Sequence, residues 1–205
     1  MTGNNQLESI YLLPEQKTPS FLLVMLHGWG ANYQDFVDLP EVIDLPKFGY
    51  VLPNAPFNHP QVAQGRAWYE LESPEYQGLE QSQQQLSSWL KSLEAQTGVP
   101  LANTYVAGFS QGGAMTLDVA LKLPVAGICS LSGYLHYQPN PLDKVPPPAL
   151  IVHGTQDLVV PIDAARQARD QLTAINVSVQ YQEFEMGHEV IPPVWALLKQ
   201  FILGI

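Results

Sequence analysis

Ser110 stands at the centre of Gly108-Phe109-Ser110-Gln111-Gly112, with Thr104-Tyr105-Val106-Ala107 before it and Gly113-Ala114-Met115-Thr116-Leu117 after it. A strand, a tight turn and a helix are thus written side by side. Glycines two residues either side of a serine relieve crowding in a strained turn, and the helix that follows aims its amides and positive dipole end at the hydroxyl. The chemistry open to such a serine is nucleophilic attack on a carbonyl. The competing reading is a plain N-cap serine; the flanking glycines and the partners below favour the nucleophile.

A serine hydroxyl attacks weakly unless an imidazole takes its proton, and the imidazole needs a carboxylate to fix its tautomer and stabilise its charge. On a strand-turn-helix serine these follow in the order Ser, acid, His. His188, in Met186-Gly187-His188-Glu189, is the histidine in the required position. His136 precedes the expected acid and His153 sits in the strand leading to it. With His27 and His59 they read as structural, since no pair has helical metal-ligand spacing and no cysteine joins them. Asp157 follows the apolar run Ala149-Leu150-Ile151-Val152 through His153-Gly154-Thr155-Gln156. Among its rivals, Asp163 and Asp170 fall in the next helix, while Glu183 and Glu185 alternate along a strand end.

A tetrahedral oxyanion needs two amide donors where its charge develops. One is expected from Gln111, directly after the nucleophile, and the other from Trp29 in His27-Gly28-Trp29-Gly30, which ends the apolar run Phe21 to Leu26. Phe57, Trp68, Tyr69 and Leu71 could form an apolar wall for an acyl chain; pinning their loop to the core is the equal alternative.

Elements that would position these residues alternate as short apolar runs and amphipathic stretches, the pattern of a mostly parallel sheet covered by helices. Strands are expected at Leu7–Leu13 (an edge), Phe21–Leu26, Tyr50–Leu52, Tyr105–Phe109, Val125–Leu131, Ala149–Val152 and Val177–Phe184. Helices are expected at Glu80–Gln96, Gln111–Leu123, Pro161–Ala174 and Pro193–Leu203. Phe57–Leu79, rich in Pro, Gly and polar residues, reads as a long surface loop. The whole of 1–205 is expected to form one domain.

Composition sets the outer limits. The chain is 46% hydrophobic and 14% charged, an ordinary globular balance. Its net charge of -10 would repel nucleic-acid phosphates and anionic headgroups, so neither nucleic acid nor stable membrane insertion is expected. The polar Met1–Gln6 shows no secretory leader. Cys129, the single cysteine, reads as a small buried apolar residue and suits a reducing compartment, so a cytoplasmic location is expected.

Six ordered motifs together resemble the phospholipase/carboxylesterase group that includes acyl-protein thioesterases and lysophospholipases. They are Leu26-His27-Gly28-Trp29-Gly30-Ala31-Asn32, Pro53-Asn54-Ala55-Pro56, Trp68-Tyr69, Gly108 to Met115, Gly154 to Pro161, and Met186 to Glu189. The resemblance implies an α/β-hydrolase fold of eight or fewer strands, with helices on both faces and no large separate cap domain. It also implies no metal or cofactor, and hydrolysis of short-to-medium acyl esters or thioesters through an acyl-serine. The family's nucleophile, acid and base carry over to Ser110, Asp157 and His188, and its oxyanion amides to Trp29 and Gln111. Two departures bear on the pocket: a short segment between Tyr69 and Gly108, and Trp29 where a smaller aliphatic residue is frequent. Substrates could be small esters, acylated proteins or lysophospholipids, and the loop aromatics would suit a homodimer contact. Lactone hydrolysis by the same residues, and a non-catalytic acyl- or partner-binding role, are the alternatives.

Overall fold

The structure, a computed structural model, describes residues 6–14 and 18–204. Met1–Asn5, on which most of the expectation about a leader rests, lie outside them. Seven strands form the main sheet: β1 (Ser9–Leu12), β2 (Phe21–Leu26), β3 (Phe48–Pro53), β6 (Thr104–Phe109), β7 (Gly127–Leu131), β8 (Ala149–Gly154) and β9 (Val179–Phe184). Their spatial order is β1-β3-β2-β6-β7-β8-β9, with β1 antiparallel to β3 and every other pair parallel. The short strands β4 (Phe57–Asn58) and β5 (Arg66–Ala67) pair separately as an antiparallel ribbon.

Strand residues alternate between two cores. Leu22, Val24 and Leu26 of β2 face one cluster, while Leu23 and Met25 face the other. The first is covered by α2 (Leu79–Thr97), α3 (Gln111–Val119) and α4 (Ile162–Ala174), the second by α1 (Leu39–Ile43) and α5 (Pro192–Leu203). Leu86, Trp89, Leu90 and Leu93 of α2 repeat at helical spacing and are all buried; each such side chain contributes about 1.5–3 kcal/mol. No helix among the described residues is long and apolar enough to cross a membrane.

The fold is the expected one, with local differences. Phe57–Leu79 is not a plain surface loop: it carries the β4–β5 ribbon, and Trp68 and Tyr69 are fully buried. The helix expected over Gln111–Leu123 ends at Val119 and tightens into a 3-10 turn, Ala120–Lys122. Pro124 holds Leu123 extended (φ -110, ψ 151), which ends the helical run. The connection between β2 and β3 holds an unanticipated 3-10 turn, Tyr33–Phe36, and then α1. A signal existed: the Asn32 side chain accepts from the Gln34 amide at 2.8 Å and Asp35 accepts from the Asn32 amide at 3.2 Å, a capping box.

Candidate active site

Parallel register brings the ends of successive strands to one edge. Leu26 lies opposite Gly108, Phe109 opposite Leu131, and Gly154 opposite Phe184. The loops that leave this edge begin at residues 27, 110, 132, 155 and 185, so segments far apart in sequence meet there.

Ser110 sits at φ 54 and ψ -118, a strained backbone for a residue with a side chain. Two glycines make the turn sterically open. A Cβ at Gly108 would overlap the Gly112 carbonyl, and one at Gly112 would overlap the Leu26 carbonyl. The Ser110 amide continues the ladder by donating to Leu131 at 2.8 Å.

The hydroxyl of Ser110 lies 2.9 Å from His188 Nε2, and His188 Nδ1 lies 2.7 Å from Asp157 Oδ2. The other carboxylate oxygen of Asp157 accepts the Val159 and Val160 amides, each at 2.8 Å. Burial pushes the Asp157 carboxyl up, but the His188 ring and these two amides outweigh it, leaving it below the ordinary carboxylate value. The acid loop is zipped to the loop carrying His188 through Thr155 N–H to Phe184 and Gln156 N–H to Met186. The Phe109 ring packs 4.8 Å from the imidazole.

Gly28 lies against this serine, and a Cβ on it would touch Ser110 Cβ at 3.4 Å. The Trp29 amide has no protein acceptor among the described residues, and Gln111, the first residue of α3, has no intrahelical one. Both of these unbonded N–H groups belong to residues that directly follow Gly28 or Ser110 in the chain. The Trp29 ring packs against His59 in a tilted arrangement, with centroids 4.2 Å apart.

Three of the four rival acids are occupied elsewhere. Asp163 pairs with Arg166 and Asp170 with Arg169, while Glu183 is held by Arg166 at 2.9 Å and by the Tyr181 hydroxyl. Glu185 lies two residues past the β9 carboxylate and carries no such bond among the described residues.

The four other histidines hold structure. His59 Nδ1 accepts from the Gln61 and Val62 amides. His153 is buried beneath Asp157, with Nε2 2.8 Å from the Val160 carbonyl. His136 binds the Asp118 carboxylate at 2.6 Å inside a group of tyrosine rings, a buried cluster with no local signature in the sequence. Burial lowers the pKa of His27 to about 4, against the smaller upward pull of the Gly28 carbonyl, and its neutral Nε2 accepts the Ala55 amide at 3.0 Å. A folded value below the unfolded one means the unfolded chain binds more protons between them. Its contribution, on the order of 3 kcal/mol, is thus complete above about pH 6.5 and lost as pH falls towards 4. Between pH 7 and pH 4 in urea unfolding, the wild type should lose about this much more stability than His27→Gln; equal losses in both proteins would exclude it.

The expected acyl wall is only partly brought together. Trp68 and Tyr69 are fully buried and serve as braces. Phe57 and Tyr69 line one depression of about 330 Å³ with Glu70, Gln77 and Gln81, which neither Ser110 nor His188 lines. Leu71 is 38% exposed. Burial pushes the Cys129 thiol well above its ordinary value, which leaves it an inert core residue. The described residues hold no group of three or more metal-ligating side chains.

Residues 10–203 match the profile of a family described as Phospholipase/Carboxylesterase. The chain is 25% identical to acyl-protein thioesterase 1 homolog 1 of Dictyostelium discoideum, covering 96% of its own length and 95% of that protein. It is 31% identical to a probable carboxylesterase of Oryza sativa subsp. japonica, covering 83% of its own length and 72% of the relative. Among solved structures it resembles esterase PE8, with a TM-score of 0.88 and 27% identity over 98% of this chain and 99% of the other.

Proposed function

This chain belongs to the phospholipase/carboxylesterase family, and from that premise we propose that it hydrolyses carboxylic esters or acyl thioesters through an acyl-serine formed on Ser110. The observation that supports this most is the unbroken line from the Ser110 hydroxyl through His188 to Asp157, with bonds of 2.9 and 2.7 Å. His188 takes the serine proton as the oxygen attacks the carbonyl carbon, then returns it to the departing alcohol or thiol. Water, deprotonated by the same ring, attacks the acyl-enzyme, and the acid leaves while Ser110 regains its proton. Asp157 holds His188 with Nε2 as acceptor and balances the imidazolium. The Trp29 and Gln111 amides receive the oxyanion in both steps.

The reading treats the whole chain as one hydrolase unit acting on small or protein-borne acyl groups. The likeness to esterases and thioesterases does not favour lactone hydrolysis or a non-catalytic binding role. A fluorophosphonate probe is expected to label the wild type and leave Ser110→Ala unlabelled. Equal labelling of the two proteins would refute the assignment.

A further inference from the structure

Trp68 belongs to a motif that the mechanism above does not use, yet its polar atoms reach both halves of the oxyanion site. Its indole N–H donates to the His27 carbonyl at 3.0 Å, at the root of the loop that carries Trp29. Its backbone N–H donates to the Gln111 side-chain oxygen at 2.8 Å, and the Gln111 amide nitrogen donates to the neighbouring Tyr69 carbonyl at 2.9 Å. Gln111 is 1% exposed and Trp68 is fully buried, so none of these bonds competes with water.

The same segment continues the attachment upstream. Gly30 N–H donates to the Arg66 carbonyl at 2.9 Å and Arg66 N–H to the Ala31 carbonyl at 2.8 Å. Its downstream end is anchored by the Ser82 hydroxyl, which donates to the Trp68 carbonyl, and by a hydrogen bond between the Tyr69 and Tyr134 hydroxyls. Arg66–Tyr69 thus ties the Gly28–Ala31 loop to the first residue of α3. The two loops leave different strands, and this short segment bonds directly to both.

We propose that Trp68 is a positioning residue for the reaction, a strap that, with the Gln111 side chain, fixes the spacing and aim of the Trp29 and Gln111 amides. The proposal rests on the hydrolase reading above. Oxyanion donors act within a few tenths of an ångström, and a misplacement of about 1 Å costs on the order of 100-fold in rate. The oxyanion exists only in the transition state, so loosening the strap lowers kcat and leaves KM in place.

Trp68→Phe, which keeps an aromatic ring and deletes the indole N–H, is expected to lower kcat on p-nitrophenyl butyrate by roughly 10- to 100-fold, with KM within about twofold. Gln111→Met, similar in size but without the carboxamide, should behave alike, and the double variant should lose less than the product of the single losses. A trifluoromethyl ketone, which forms a hemiketal oxyanion on the serine, should lose affinity in step with kcat/KM, while the matching methyl ketone should not. Trp89→Phe, in the same core but on α2, should keep kcat and the trifluoromethyl ketone affinity, separating aim from packing. Should Trp68→Phe not fold, Gln111→Met decides by the same measurements. Ser110-dependent fluorophosphonate labelling tests the underlying reading on its own. If labelling depends on Ser110 but the Trp68 and Gln111 variants lose no more kcat or ketone affinity than Trp89→Phe, the strap alone is overturned.

Discussion

Replacing His188 with Ala is expected to lower kcat on p-nitrophenyl butyrate by about 10⁴- to 10⁶-fold, leaving the residual rate that binding and oxyanion donors supply. A serine hydroxyl is protonated at neutral pH and attacks poorly unless its proton has somewhere to go. Among the described residues, only one ring nitrogen is bonded to the Ser110 hydroxyl, that of His188 at 2.9 Å. No other imidazole can take its place without rebuilding the edge of the sheet: His27 is held between the Gly28 carbonyl and the Ala55 amide, and His153 by the Val160 carbonyl. Fluorophosphonate labelling should slow with kcat, because phosphonylation uses the same activated oxygen. Steady-state rates and labelling kinetics check both, and a loss of less than about 10-fold would mean that the base is another group.

Asp157→Asn is expected to cost about 10⁴-fold in kcat with little change in KM. The reason lies in the other side of the carboxyl group. The Val159 and Val160 amides both need an acceptor at Oδ1, so the Asn oxygen stays there and its NH₂ faces His188 Nδ1. That nitrogen must then become the acceptor, which places the ring proton on Nε2, where it opposes the serine hydroxyl. The loop keeps its two backbone bonds, so the fold should survive. The acid limb of stability should change as well. A carboxyl held below its ordinary value contributes stability above its unfolded pKa and loses it as pH falls through the folded one. Asp157→Asn should therefore lose less stability on acidification than the wild type. Urea unfolding across the acid range, beside kcat measured near neutrality, tests the two halves separately; a near-wild-type kcat would leave the orienting role without support.

Most of the positioning of Ser110 was legible before any fold was known. The crowding that demands Gly108 and Gly112 acts between residues a few places apart or on the adjacent strand, and the strand and helix around the turn carry their own apolar patterns. The same holds for the motif order that singled out Asp157 and His188 from their rivals. The capping box at Asn32 and Asp35 was equally local and could have revealed the turn and α1 in the β2–β3 connection.

What the amino-acid sequence determined, then, was the set of elements, their order, the strained turn and the residue types at each strand end, because these follow from sterics and periodicity over a few residues. Tertiary structure alone decided that Trp68 and Tyr69 face inward as braces, that His27 is buried neutral, that Asp118 meets His136, and that Phe57 and Tyr69 share a depression that neither Ser110 nor His188 lines. Each of these depends on which strands are neighbours, β2 between β3 and β6 above all. Contacts across forty residues or more, such as Trp68 to Gln111, exist only once that order places the two loops side by side.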